Sequence, residues 1–243
     1  MIWDLFLSSF LLSVVLVGIH AYFGREIIRR GIIFADIAVA QFSALGLALS
    51  LTLFHGRGSY LLSLSLALLA SLLIALSQRL REHSEAFIGL LYALGFSALF
   101  LLLSRSPHGV EEIKRLTAGD ILFVPFQEVV KTTFIYSFIG ILLYLRERFL
   151  RGLLSEFSFF SLFSLTLASS VSLVGVLVVF SLLVAPALVS LLLGKGLIFS
   201  WVWGTLLSLL ALSASFNLDL PTGYSLVFLQ ALGGFLVFLF KIR

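Results

Sequence analysis

The sequence contains no cysteine. That excludes disulfides, thiolate metal sites and cysteine nucleophiles. Charge is scarce as well. Asp, Glu, Lys and Arg make up 12% of the chain, against about 25% in an ordinary soluble domain. So little charge cannot cover the surface of a soluble globule. A soluble enzyme, a disordered chain and a disulfide scaffold therefore do not fit. Catalytic signatures are missing too: there is no P-loop, no HExxH and no GxSxG, so the chain does not carry its own ATPase and reads as no enzyme. The first residues do not read as a secretory leader, because Asp4 stands where a basic region would be and no small-residue cleavage site follows.

What the chain has is apolar surface. Of its 243 residues 60% are hydrophobic, with a mean hydropathy of +1.17. An integral membrane protein follows. The net charge of +4 does not indicate nucleic acid. The basic residues sit in short clusters between apolar runs, where membrane topology explains them.

Charges mark the span boundaries. Uncharged runs extend over Leu5–Gly24, between Arg57 and Arg79, from Ala86 to Ser104, between Lys195 and Asp219, and between Asp219 and Lys241. Gly31–Gly56 carries only Asp36. Spanning takes about 20 residues, so each is a full span. Thr132–Leu145 is short and must borrow its first turn from the segment holding Glu128 and Lys131. The 38 uncharged residues between Glu156 and Lys195 would make a helix of roughly 57 Å against a core of about 30 Å. Pro186 is the expected break, with Gly175 the weaker candidate. The reading is a full span over 158–182, then a short buried or re-entrant helix over 185–194. The expected fold class is all-α: a polytopic integral membrane protein with about eight full transmembrane helices plus one broken or re-entrant half-helix, forming a single domain over 1–243.

If the half-span reverses direction once, the basic loops around Arg25–Arg30, Arg79–Arg81 and Arg146–Arg151 share a side with Lys195, Lys241 and Arg243. That side holds eleven basic residues, and the other keeps five: Arg57, Arg105, Lys114, Arg115 and Lys131. The positive-inside rule then puts the N-terminus outside and the C-terminus inside. The largest polar loop, Arg105–Gln127, lies outside and reads as either a solvated connector or a short amphipathic helix.

A charge at bilayer depth is costly and faces a bundle interior or a water pathway. Asp36 opens an apolar helix. It reads either as a first-turn acid favoured by the helix dipole or as a pathway ligand. Gln41 lies about 140° round the helix from it, and Ser43 is an alternative partner. His20, near the end of the first span, reads as a divalent-metal ligand or as a histidine paired with a backbone carbonyl. His55, His83 and His108 fall at span ends and read as solvated. Asp219, before Pro221, reads as a turn residue capping the last helix. Sparse hard ligands without a catalytic motif suggest a permeation path for a divalent cation.

Four segments, in order, resemble the membrane subunit of zinc/manganese-type ABC importers. They are GREIIRRGIIFADIAVAQFSALGLAL, the block from Ser84 to Val124 with Gly-Asp-Ile-Leu at Gly119–Leu122, SLVGVLVVFSLLVAPALVSLLLG, and LDLPTGYSLV. The resemblance runs from about Gly18 to Val227. It implies a homodimeric permease of the inner (cytoplasmic) membrane, with two cytoplasmic ATP-binding subunits and an extracytoplasmic metal-binding protein that delivers zinc or manganese. The metal is cargo rather than a permanently bound cofactor, and the pathway runs between two permeases. Asp36 matches the family's pathway aspartate, and Gln41 and His20 are carried as further transient ligands. The family's histidine four residues after the aspartate is replaced by Ala40. The longer cytoplasmic segment with its Leu-Gly docking motif is reduced to RERFLRGLLSEFSFF, in which Arg148–Phe157 is expected to form a short coupling helix. A secondary, ion-coupled transporter and a membrane scaffold are the competing classes. Inverted repeats with buried charges at matching positions, the mark of the former, are not seen.

Overall fold

The computed structural model describes residues 2–78, 83–104, 106, 108–119 and 121–242. Arg79, Arg81, Arg105, Asp120 and Arg243, used above for topology and motif, lie outside the described residues. Among the described residues ten α-helices follow one another: α1 Ile2–Arg30, α2 Ala35–Phe54, α3 Ser59–Ser77, α4 Ser84–Leu103, α5 Gly109–Thr117, α6 Phe126–Phe149, α7 Gly152–Val174, α8 Val176–Leu192, α9 Leu197–Leu218 and α10 Thr222–Ile242. Eight of them are long and apolar enough to cross a bilayer, and α8 is a shorter apolar helix. The chain is thus a polytopic all-α membrane protein. α6 runs through Glu128 and Lys131, which form an ion pair in its first turns.

The long uncharged run breaks at Gly175, not at Pro186. The expected span over 158–182 and half-helix over 185–194 are replaced by α7 and α8. Gly175 sits at φ 83°, ψ 165°, a region closed to residues with a Cβ. A Cβ there would also stand 2.8 Å from the Gly119 nitrogen. Pro186 stays inside α8. Its ring packs on α9, where a Cβ added to Gly204 would lie 2.7 Å from the Pro186 Cγ. Inside a helix bundle, neighbouring helices and local adjustment absorb the backbone groups that a proline frees.

α8 is the buried centre. Its seventeen residues, about 26 Å at 1.5 Å rise, pack against α1, α2, α7, α9 and α10. Between lipid-solvated helices there is little hydrophobic drive, so close approach of small residues matters. Gly24 of α1 shows it: a Cβ there would sit 2.0 Å from the Leu183 carbonyl oxygen.

Contacts give the direction of each crossing. The start of α1 meets the Ile121 carbonyl through Ser9, and Phe6 meets Phe216 near the end of α9. The end of α1 meets Ser190, Lys195 and Glu156. The α7–α8 break meets Gly119, so α8 returns toward the α1 C-terminal end. Described cations Arg29, Arg30, Arg146, Arg148, Arg151, Lys195 and Lys241 therefore gather at one end. Arg57, Lys114, Arg115 and Lys131 lie at the other. The first end is the cytoplasmic one by charge, and the termini lie at opposite ends, as expected. The outer loop is not a bare connector: α5 turns Leu116 inward and leaves Glu111 and Lys114 outward.

Candidate metal pathway and the buried polar groups

The turn after α1 delivers Asp36 to the first turn of α2. The Ile33 amide donates to Glu85 Oε1 at 3.0 Å, tying this turn to the start of α4. Asp36 is 1% exposed. Its Oδ1 accepts from the Ile37 amide at 2.7 Å, while Oδ2 is buried with no hydrogen-bond partner. The carboxylate is enclosed by its own chain rather than presented on the protomer surface. Gln41 is 4% exposed, its Oε1 is likewise unpartnered, and its Cβ faces Gly95 of α4. Buried polar atoms are nearly always satisfied, so two open acceptors on one helix are unusual. Ser43 is committed elsewhere, to Ser63 of α3 at 2.7 Å.

His20 is fully buried. Its Nδ1 lies 2.7 Å from the Leu16 carbonyl, and its Nε2 lies 3.1 Å from Ser170 Oγ. Ser170 is 2.5 Å from Tyr136 Oη, which also reaches Ser169 at 2.9 Å. A neutral ring that donates from Nδ1 and accepts at Nε2 satisfies this chain. The network joins α1, α6 and α7. It does not involve α2, so the structure does not bring His20 together with Asp36 and Gln41. Among the described residues no group of three or more His, Asp or Glu is placed to hold a metal ion. His55 and His83 are exposed, and His108 pairs with Glu111 at 3.4 Å on the surface. Asp219 is the left-handed residue that ends α9, at φ 52°, rather than a cap on the last helix.

Two clusters at the cytoplasmic end escaped the sequence reading, because their members are far apart in the chain. Arg25 donates to Ser190 and to the Lys195 carbonyl, and Ser200 donates to Ser190 at 2.6 Å. This fastens the α8–α9 turn to α1. Nearby, Arg30 pairs with Glu156, Tyr22 donates to Glu147 at 2.5 Å, and Arg146 donates to the Ser155 carbonyl at 2.8 Å. The Arg30 and Arg146 guanidiniums both lie over the Phe159 ring, at 4.2 and 5.0 Å. The expected coupling helix over Arg148–Phe157 is not a separate element. α6 ends at Phe149, Leu150 and Arg151 are extended, and α7 begins at Gly152. Two residues leave no room for another helix.

Similar proteins fit this architecture. A membrane protein of Haemophilus influenzae, described as a probable iron transport system membrane protein, is 25% identical over 98% of this chain and 91% of its own length. Two solved structures share the fold at 19% identity. PsaBC from Streptococcus pneumoniae, in complex with a Fab, has a TM-score of 0.75 over 98% of this chain and 95% of its own. An inward-facing ABC transporter described as of metal-chelate type has a TM-score of 0.70 over 96% and 84%. The ABC 3 transport family description matches residues 3–241. The chain belongs to the ABC 3 transport family, as a multi-pass inner-membrane permease.

Proposed function

We propose that the chain is the permease subunit of an ATP-driven importer that carries a divalent transition metal, zinc or manganese, across the inner membrane. It works as a homodimer with two cytoplasmic ATP-binding subunits and receives metal from an extracytoplasmic binding protein. The family match over residues 3–241 carries this reading. The relatives support metal as the cargo, one being described as an iron transporter, so iron belongs in the same test.

Asp36 is the proposed transient ligand, with Gln41 beside it. A buried carboxylate oxygen without a partner attracts a cation, and a sparse ligand set releases it again; conduction needs both. Because Asp36 is enclosed in the resting chain, α2 or its neighbours must open to admit the ion. His20, with both ring nitrogens engaged, contributes less.

The test is reconstitution of the permease with its ATPase in sealed vesicles, followed by uptake of radioactive zinc, manganese and iron. ATP-dependent uptake of zinc or manganese is expected. Uptake driven by an ion gradient without ATP would make the chain a secondary carrier. An assembled complex that moves none of the metals would leave it a scaffold.

A further inference from the structure

At the cytoplasmic end, α6 and α7 leave between them a groove of about 600 Å³. Leu142, Leu145 and Phe149 line it from α6, Phe157 and Leu162 from α7, and Arg146 is its one charged lining residue. The volume lies within the range of small-molecule sites, about 300–1,000 Å³.

Charge at the mouth of the groove is unbalanced. Of the neighbouring carboxylates, Glu156 is paired with Arg30, while Glu147 accepts from the neutral Tyr22 hydroxyl and keeps its charge, so Arg146, Arg148 and Arg151 outnumber the one unpaired acid. Arg146 has only its Nε committed to a carbonyl, and a guanidinium carries five donors. Arg148 reaches the Tyr144 hydroxyl at 3.3 Å and no carboxylate. Arg151 is exposed and makes no ion pair among the described residues. An apolar slot lined by Arg146 thus lies beside the turn that carries Arg148 and Arg151, on the side where the chain collects positive charge.

Hydrocarbon must fill such a slot, and an anion must meet its mouth. One molecule class supplies both, because basic pockets between transmembrane helices on the cytoplasmic side suit anionic lipid headgroups. Guanidinium is also the cation best shaped for phosphate. We propose that this groove binds one anionic phospholipid of the cytoplasmic leaflet. An acyl chain lies between α6 and α7, and the phosphate sits at Arg146, Arg148 and Arg151. The site would make a lipid part of the α6–α7 turn, and it holds whatever metal the permease carries.

Native mass spectrometry of the purified full chain, delipidated and then titrated with phosphatidylglycerol or phosphatidylcholine, tests this. One phosphatidylglycerol adduct should survive at lipid concentrations where phosphatidylcholine is lost. The double substitution Arg148→Gln/Arg151→Gln removes only exposed charges and should weaken that adduct about 25-fold, at roughly fivefold per arginine. Ser161→Trp fills the groove without touching the charges and should remove the adduct as well. Equal retention of the two lipids would overturn the site, as would an adduct indifferent to both variants. Loss of the adduct from the dimer or the ATPase complex, with retention by the monomer, would show that a protein fills the groove and would overturn it too.

Discussion

Gly223 meets Gly119 backbone to backbone: a Cβ on Gly223 would lie 2.4 Å from the Gly119 carbonyl oxygen. The Gly119 amide in turn donates to the Val174 carbonyl at 3.0 Å, one residue before the Gly175 break. Three segments far apart in the chain therefore converge at the outer end through main chain alone. The outer loop is bolted to the start of α10 and to the α7–α8 turn.

Gly223→Ala should lower the thermal stability of the detergent-solubilised protein, by roughly 1–3 kcal/mol for an overpacked site. Gly140→Ala, where an added Cβ meets nothing within 4 Å, is the control and should be neutral or mildly stabilising. Melting followed by size-exclusion recovery reads both, and equal melting temperatures would contradict the backbone contact.

Asp36→Asn keeps the size of the side chain and removes its charge. Metal uptake should fall by about tenfold or more, given the few-kcal/mol weight of a charge at this depth, with membrane expression and ATPase assembly near normal. Asp36→Glu should retain part of the rate, and Gln41→Ala should cost less. Parental uptake by Asp36→Asn would reduce Asp36 to a first-turn acid.

His20→Ala should act on the fold rather than on the choice of metal. It leaves the Leu16 carbonyl and the Ser170–Tyr136 pair short of a partner, a loss of about 1–3 kcal/mol. Uptake per folded molecule should change little, and the ratio of zinc to manganese should stay put. A shift in that ratio would return His20 to the pathway.

The chain has no cysteine of its own, so single introduced cysteines report cleanly. Arg151→Cys should crosslink to the ATPase, since Leu150–Arg151 is the tip of the most charged cytoplasmic turn. A cysteine at Lys114 should react with an impermeant reagent in intact cells, and one at Lys241 should react only after lysis. Labelling of both in intact cells would overturn the orientation.

Much of this was readable from one sequence, for a physical reason. Charges are excluded from hydrocarbon, so Arg57, Asp219 and Lys241 bracket spans that the structure reproduces. Asp36 could be singled out because an acid within an apolar run has few uses. The misplaced break came from weighting the missing donor of Pro186 above the φ of Gly175. Which of the two breaks a helix depends on whether neighbouring helices absorb the proline, and that is a property of packing. The His20–Ser170–Tyr136 chain and the Arg25–Ser190 anchor had no signal, since serines are common in this chain and His20 and Arg25 lie over a hundred residues from the serines they meet.

The turn at Gly175 also bears on how the protein enters the bilayer. α7 and α8 are joined by one glycine, and the charges nearest to them, Glu156 and Lys195, both stay on the cytoplasmic side. The pair can insert as a single helical hairpin whose leading tip is Val174–Gly175–Val176. No ionised group has to be dragged through hydrocarbon to establish the two central crossings, so the most deeply enclosed part of the molecule is also the part whose translocation meets the smallest barrier.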